Sequence, residues 1–272
     1  MNIPSIKLNN GQAIPQLGLG LWMNKNKQEC IRTIEDALKV GYRHFDTAQI
    51  YGNEEFLGSA LARAEVLRKD LFITTKIWND NFWWDDLIPS FEESLNKLRL
   101  QYVDLLLLHF PVTETRRPAW RKMEELSRDG RAKSIGVSNY TIKHLEELLQ
   151  ECEIKPVMNQ VELHVYLQQP ELVEYCKKND IVLEAYSPLA HGSGIDNPTL
   201  TAIGNKHGKS AAQVMVRWCI ENGFIVLPKT THKERLQENL DVFDFKLDAD
   251  DMEQLQKLEK NYRTCWDPTH VQ

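Results

Sequence analysis

Four side chains that could hold or transfer protons lie in the first 109 residues, and three of them, Asp46, Lys76 and His109, are separated by nearly equal intervals. Asp46 and Tyr51 lie in the segment HFDTAQIYGNE, residues 44–54. Lys76 and His109 follow, each at or near the end of an apolar segment that reads as a strand. Strand ends that meet at one edge of a sheet can bring distant residues into one pocket, so we expect these four to converge.

The residue types favour proton donation to a carbonyl oxygen. A buried lysine needs a counter-charge, which Asp46 can supply. A lysine beside a tyrosine stabilises the phenolate, so Lys76 should lower the pKa of Tyr51 and make it a general acid near neutral pH. A neutral His109 could orient the carbonyl. The set contains no serine or cysteine nucleophile with a paired base, so it suits carbonyl reduction with hydride from another source.

Each of these residues also has an ordinary structural interpretation. Asp46 could cap a helix with Lys76 as its ion-pair partner, Tyr51 could be a packing residue, and His109 could simply end a strand. His44 and Asp46 share a strand face and, with His109, resemble part of a metal site. Hydrolytic metal barrels usually need more ligands than these, so we expect no metal.

The elements that would position these residues alternate between strand and helix. Strict alternation predicts a parallel sheet, and eight units in 272 residues predict a (β/α)8 TIM barrel, with a doubly wound sheet as the alternative. No linker interrupts the pattern, so residues 1–272 are expected to form one domain. The expected strands are 17–21, 42–46, 71–77, 103–110, 134–138, 156–162, 181–187 and 224–228. The expected helices are 27–40, 53–64, 85–99, 117–129, 141–151, 170–179, 199–207, 210–222, 232–239 and 248–260.

Two glycine-containing segments lie near the N-terminus. Asn10-Gly11, between alternating residues, predicts a short N-terminal β-hairpin with a type I′ turn. Gly18-Leu19-Gly20 lacks the third glycine of a dinucleotide-binding fingerprint, because Met23 stands at that place. A Rossmann-type loop is therefore not expected.

Composition limits the partners and the compartment. The formal net charge of −6 gives no support for a nucleic-acid partner or an anionic membrane. No run approaches the length of a membrane span, and the first residues lack the pattern of a signal peptide. The five cysteines are scattered and form no CxxC pair, which favours reduced thiols. We expect a cytoplasmic protein, with a monomer as the default.

The remaining predicted strands also end in polar residues: Ser138, Gln160, Tyr186 and Lys229. After the last strand, PKTTHKERLQEN (228–239) places several cations at the start of a helix. Backbone N–H groups at a helix N-terminus attract anions, and barrels often bind phosphate at this place. The segment could also be a solvated basic patch, but its position on the rim favours a phosphate site.

Aromatic residues cluster after the first and third predicted strands. Trp22, Trp78, Phe82, Trp83 and Trp84 lie in these loops and could line an apolar substrate pocket. Ordinary loop packing explains Trp83 and Trp84 equally well, so their roles stay open.

Over essentially its whole length the chain resembles the aldo-keto reductases. The matching stretches are GYRHFDTAQIYGNE, TTK, LLLLHFP, GVSNY, NQVELH, EAYSPLA and PKTTHKERLQENLDVFDF. It is most similar to short bacterial-type members, such as 2,5-diketo-D-gluconate, glyoxal and prostaglandin F synthase-like reductases. The resemblance implies NADPH-dependent reduction of aldehydes and ketones, including dicarbonyls or keto-sugars, with a small-molecule carbonyl substrate. A non-catalytic NADPH-binding barrel acting as a sensor or regulatory subunit is the alternative, disfavoured because all four catalytic residues are present.

The resemblance also implies roles for individual residues. The catalytic tetrad would be Asp46, Tyr51, Lys76 and His109, with Tyr51 as proton donor. NADPH or NADP+ would contact Ser138, Asn139 and Gln160 through its carboxamide, Tyr186 by stacking, Ser187 and Leu189 along the pyrophosphate, Lys229, Thr230 and Arg235 through the 2′-phosphate, and Glu238 and Asn239 near the adenine. Trp22, Trp78 and Phe110 would shape the substrate pocket.

Three places depart from the family pattern or vary within it. Phe110 stands where many relatives carry tryptophan, which affects the size of the pocket. Thr231 and His232 vary in the family, which leaves the strength of the NADPH preference open. The tail after Tyr262 is short, so no long C-terminal loop is expected to close the pocket.

Overall fold

The protein forms a parallel barrel with helices outside it. The computed structural model describes residues 3–83 and 85–272. Its main sheet has eight parallel strands in chain order. After a hairpin of β1 (Ser5–Lys7) and β2 (Ala13–Pro15), the barrel strands are β3 (Leu19–Gly20), β4 (His44–Asp46), β5 (Phe72–Ile77), β6 (Leu105–Leu108), β7 (Ile135–Ser138), β8 (Met158–Glu162), β9 (Val182–Tyr186) and β10 (Ile225–Leu227).

The last strand closes the barrel against the segment before β3. Leu17 forms a parallel bridge with Val226, and the Gly18 N–H donates to the Val226 carbonyl at 3.0 Å. A side chain at Gly18 would meet the His44 ring at 2.5 Å, so this glycine allows a close approach inside the barrel. The predicted (β/α)8 barrel is confirmed. The single domain stays a prediction.

Helices follow the barrel strands in chain order, as the sequence predicts, and the last two follow β10. Their bounds differ from the prediction by only a few residues. They are α1 (Lys27–Val40), α2 (Glu54–Leu61), α3 (Leu87–Leu98), α4 (Arg116–Arg128), α5 (Ile142–Glu151), α6 (Pro170–Lys178), α7 (Pro198–His207), α8 (Ala211–Glu221), α9 (Lys233–Leu240) and α10 (Ala249–Gln256). None of the helices that the structure describes is long and apolar enough to cross a bilayer.

The N-terminal hairpin is present, but its turn is not type I′. A type I′ turn needs positive φ at two adjacent residues, whereas Gly11 has φ +87° and Asn10 is not in that region. The Leu8 N–H donates to the Gln12 carbonyl, which leaves a three-residue loop. Leu8 and Ile14 pack with the apolar side chains at the amino end of the barrel, so the hairpin covers that end.

The C-terminal tail returns across the opposite end. After α10, the Tyr262 N–H donates to the Tyr166 carbonyl at 2.9 Å. At the last residue, the Gln272 carbonyl accepts hydrogen bonds from Arg116 at 2.5 Å and from Thr113 at 2.9 Å. Residues 263–272 are therefore tied to the barrel near both of their ends.

Candidate active site

The carboxyl end of the barrel holds a hydrogen-bonded group of ionisable side chains. Asp46 ends β4, Lys76 lies near the end of β5, and Tyr51 ends a short 3-10 turn that follows β4. The Lys76 ammonium donates to the two Asp46 carboxylate oxygens at 2.7 and 2.8 Å. It also donates to the Thr47 carbonyl at 3.0 Å and the Tyr51 hydroxyl at 3.2 Å. Residues distant in sequence therefore share one ammonium group.

Lys76 is fully buried and charged. Burial alone would lower its pKa, but Asp46 and Tyr51 raise the pKa above the ordinary lysine value. The ammonium is satisfied by its acceptors, so the buried ion pair is well compensated.

Tyr51 keeps its proton more firmly than the sequence predicts. Burial raises the pKa of Tyr51 to about 12, and the positive charge of Lys76 offsets only part of that rise. The expectation of a lowered phenol pKa is therefore wrong for this structure, because lost hydration outweighs the attraction of the cation. The phenol is protonated throughout the physiological range, which is the state a proton donor needs.

His109 directly follows β6 and is neutral. Burial, with the nearby positive charge of Lys76, lowers its pKa well below the usual value. Its Nδ1 is buried with no hydrogen-bond partner among the residues described. The ring packs edge-on against Tyr51 and Trp78, with centroids 5.7 and 5.3 Å away. A neutral imidazole that lines a cavity can bind a polar atom of a ligand there.

One long cavity connects these groups to the basic segment after β10. It occupies about 1120 Å³. Asp46, Tyr51 and His109 line one part of it, and Lys76 lies beneath the surface. All the predicted cofactor residues line the same cavity: Ser138, Asn139, Gln160, Tyr186, Ser187, Leu189, Lys229, Thr230, Arg235, Glu238 and Asn239.

Beside the tetrad, the polar residues of β7 to β9 hold one another. The Asn139 amide nitrogen donates to the His109 carbonyl at 3.0 Å, and its oxygen accepts from the Tyr186 hydroxyl at 2.7 Å. Ser138 donates to the Gln160 carbonyl at 2.8 Å. Asn139 has a φ of +64°, a conformation that asparagine tolerates better than most residues. This network fixes the wall of the cavity near the tetrad.

The Gln160 side chain points its donors into the barrel. Its amide nitrogen donates to Asp46 at 2.8 Å and to Glu184 at 2.6 Å. The amide oxygen is the group left for a ligand carboxamide. Sequence reasoning missed Glu184, although a glutamate inside the apolar strand IVLEAYS was a usable signal.

The far part of the cavity is suited to a phosphate. Helix α9 begins after His232, and no side chain in the described part of the protein caps its N-terminus. The exposed Lys229 and Arg235 lie on either side of this end. Thr230 is buried and its hydroxyl accepts from the His232 N–H at 3.0 Å, which fixes the loop. Backbone N–H groups and two cations at one helix end form an anion site.

Residues of α9 and the N-terminus of α8 lie next to this anion site. Glu238 accepts a hydrogen bond from Ser210, the N-cap residue of α8, at 2.6 Å. Asn239 is buried beside it. The cavity thus runs from a neutral, proton-bearing end to a cationic end. Its volume exceeds what one small substrate needs, and the order of groups along it fits an extended dinucleotide with a terminal phosphate.

The other end is aromatic, and the tail forms part of it. Trp22 lines the cavity, and its ring centroid lies 4.8 Å from that of Tyr51. Trp266, from the tail, also lines the cavity and contacts Trp78 at 5.6 Å and Phe110 at 6.3 Å. The structure therefore places Trp22 on the lining of the pocket. Trp78 and Phe110 pack against Trp266 and do not themselves line the pocket.

The short tail contributes Trp266 to the lining of the pocket, a role that the sequence does not predict. The tail needs no long loop, because Glu162 at the end of β8 anchors it. One Glu162 oxygen accepts from the Thr264 N–H at 2.7 Å, and the other from the Cys265 N–H at 3.0 Å. Nothing in the local sequence around Trp266 links it to this distant carboxylate.

The other aromatic residues have different positions. Phe82 is fully buried in the core, and Trp83 is 61% exposed and does not line the cavity. Trp84 lies outside the described residues. Over the described chain, one group of three close metal-type ligands occurs, Asp248, Asp250 and Asp251 in and before α10, far in sequence from the tetrad.

Comparison with known proteins identifies the family of this chain. The model of the Aldo/keto reductase family matches residues 16–194 and 195–260. The chain belongs to the aldo/keto reductase family. It is therefore an NADP-dependent oxidoreductase that acts on carbonyl groups.

The chain is similar to several known reductases. It is 44% identical to a glyoxal reductase from Bacillus subtilis over 98% of this chain and 97% of that protein. It is 44% identical to methylglyoxal reductase DkgA from Escherichia coli over 97% of this chain and 96% of that protein. A Bombyx mori aldo-keto reductase solved in complex with NADP has a TM-score of 0.94 and 35% identity, covering 100% of both chains. The aldo-keto reductase family and its fold are thus confirmed.

Proposed function

We propose that this reductase acts on small aldehydes and ketones, dicarbonyls in particular, with Tyr51 as the proton donor. The observation that carries the proposal is the chain of hydrogen bonds from Asp46 through Lys76 to the Tyr51 hydroxyl at the floor of the cavity. No observation favours the non-catalytic sensor, because the complete set of proton-transfer groups is assembled.

In this proposal each side chain has one task. The neutral His109 binds and orients the substrate carbonyl oxygen. Tyr51 gives its proton to that oxygen, and Lys76 stabilises the phenolate that remains. Asp46 keeps Lys76 charged and in place. Reduced nicotinamide supplies the hydride when it is bound.

The cofactor would be held by residues that already line the cavity. The oxygen atoms of Gln160 and Ser138 would accept from the carboxamide, and the Tyr186 ring would lie against the nicotinamide. Lys229, Arg235 and the start of α9 would bind the 2′-phosphate, as NADPH requires.

The dicarbonyl preference rests on two supports. Trp22 and Trp266 wall the pocket near Tyr51 and form an apolar chamber. Relatives that are 44% identical over nearly the whole chain are named for glyoxal and methylglyoxal. A substrate of this class is a small molecule, and no macromolecular partner is required.

Reduction of methylglyoxal by NADPH tests the proposal. We expect the absorbance of reduced nicotinamide to fall with wild type, and kcat to fall by ~10²–10⁴-fold in Tyr51→Phe, since general acid catalysis contributes about that much. The matched control is Tyr102→Phe, which removes a hydroxyl from a half-buried tyrosine that does not line the cavity and should keep wild-type kcat. A Tyr51→Phe enzyme with full activity would remove Tyr51 from the donor role.

We also propose a reducing compartment such as the cytoplasm. All five cysteines are free, and three of them are buried in the core, where oxidation would disturb packing. A monomer in solution stays a prediction, which size-exclusion chromatography with light scattering would test.

A further inference from the structure

One buried carboxyl group next to the tetrad has no part in the reaction described above. Glu184 lies in β9 and is fully buried inside the barrel. Its Oε2 accepts a hydrogen bond from the Gln160 amide at 2.6 Å. Its Oε1 has no hydrogen-bond partner in the described chain and lies 3.6 Å from His44 Nε2. A carboxylate with one hydrogen bond and no cation of its own is poorly compensated at such a place.

Gln160 links this carboxyl group to the catalytic ion pair. The same amide nitrogen that donates to Glu184 also donates to Asp46 at 2.8 Å. Two carboxyl groups therefore share the two N–H bonds of one amide. Close carboxyl groups in a dry site do not both ionise readily, and the nearby Lys76 ammonium is already paired with Asp46.

The groups that face Glu184 leave its charge unbalanced. His44 and Asp46 face it from β4, Lys76 from β5 and Gln160 from β8, while β10 presents the apolar Ile225 as its cross-strand neighbour. Burial lowers the pKa of His44 to about 3, so the imidazole is neutral. Burial, and then the charge of Asp46, raise the pKa of Glu184 to about 8.

We propose that Glu184 is a positioning residue that works as a neutral acid. Through Gln160 it holds the Asp46 carboxylate in place, and by staying uncharged it leaves Asp46 as the single negative partner of Lys76. The proposal rests on the function assigned to the tetrad above.

Ionisation of Glu184 would weaken the reaction. A second negative charge beside Asp46 stabilises the Lys76 ammonium but opposes formation of the Tyr51 phenolate. Proton donation by Tyr51 then becomes harder. Carbonyl reduction should therefore decline as Glu184 loses its proton, although Glu184 touches neither substrate nor cofactor.

The Glu184→Gln variant tests this with a group that cannot ionise. Its amide offers an oxygen to Gln160 and directs an N–H towards His44 Nε2, where the neutral acid would direct its O–H. With a pKa of about 8, the wild-type acid is mostly protonated at neutral pH and mostly ionised one pH unit above that value. We expect the ratio of kcat for E184Q to kcat for wild type to rise about tenfold between about pH 7 and about pH 9. The KM for methylglyoxal should change little in either protein.

A second variant checks the link through Gln160. Glu184→Leu removes the acceptor and leaves a Gln160 N–H unpaired, so we expect a lower kcat at every pH and no alkaline step. A ratio for E184Q that does not change with pH would overturn the proposal. Loss of most activity in E184Q at neutral pH would also overturn it, because it would show that an ionised carboxylate is required.

Stability gives a readout that does not need the reaction. A folded-state pKa above the ordinary value of 4.5 means that protonation stabilises the folded protein. That contribution is full below the unfolded-state pKa and is lost as pH rises towards about 8. In urea unfolding, wild type should lose stability relative to E184Q between about pH 5 and about pH 9, and a constant difference would refute the neutral acid. If wild type reduces no carbonyl compound, the proposed function fails while this measurement still decides the state of Glu184.

Discussion

The buried pair of Asp46 and Lys76 should contribute to stability and to catalysis for different reasons. Lys76 is completely enclosed, and Asp46 provides both oxygens at 2.7 and 2.8 Å. Asp46→Asn keeps the shape of the side chain but leaves the ammonium without a counter-charge. Lys76→Met keeps the length of the stem but leaves a buried carboxylate. Breaking a buried pair by removing one partner costs ~3–5 kcal/mol.

The double variant separates the two effects. With both charges removed, neither partner is left unpaired, so Asp46→Asn/Lys76→Met should regain most of the free energy of unfolding that each single variant loses. Its catalysis should not recover, because Tyr51 no longer has a cation to stabilise the phenolate. We expect kcat to stay ~10²-fold or more below wild type in all three variants.

Urea unfolding and steady-state reduction of methylglyoxal measure these two quantities on the same preparations. Lys97→Met, which removes one partner of the exposed pair with Glu93, is the control and should cost less than about 1 kcal/mol. If the double variant loses the sum of the unfolding free energies lost by the two single variants, the unpaired buried charge is not the cause of their instability. Recovery of kcat together with stability would refute the electrostatic role of Lys76.

Two further variants test the ends of the cavity. Arg235→Ala should weaken NADPH binding by ~10–100-fold and NADH binding much less, because a charge-assisted hydrogen bond to the 2′-phosphate is lost. Fluorescence titration measures both affinities, with Lys233→Ala as the neighbouring control. Equal losses of affinity for the two cofactors would contradict this role of Arg235. Trp266→Ala should raise the KM for methylglyoxal by several-fold and leave kcat for a bulky aromatic aldehyde unchanged or higher, since one wall of the chamber is removed. Unchanged KM values across a panel of aldehydes would exclude Trp266 from the substrate wall.

The barrel can be predicted because its signals are local and repeated. Several strands, such as Leu105–Leu108, are apolar segments of the right length. Many helices have their own periodic face and a stop such as Gly41, which caps α1 with φ +113°. Strand ends meet at one edge of a parallel barrel, so the cluster of Asp46, Lys76 and His109 follows once the fold is assumed. The predicted turn at Asn10 is wrong because the register of its hairpin sets the loop length, and a dipeptide does not contain that register.

The tail and the aromatic loops show what local patterns lack. Trp266 reaches the pocket because Glu162 accepts two backbone N–H groups from residues that are distant in sequence. Trp78 is expected in the pocket and the role of Trp83 is open from sequence, yet neither lines the cavity: Trp78 packs against Trp266 and Trp83 is exposed. Exposure depends on which neighbours fill the space between a loop and the barrel. That information is distributed over the whole chain.

The acidity of Tyr51 depends on which charged groups are buried beside it, and the sequence alone does not show this. From residue types alone, a lysine near a tyrosine lowers the phenol pKa. In the barrel the same lysine is shared with Asp46, and burial raises the pKa of Tyr51 to about 12. If Glu184 were also charged, it would add a second carboxylate against the single Lys76 ammonium, and the phenol would be a still weaker acid. The neutral state of Glu184 therefore sets a limit on how far the barrel opposes proton donation.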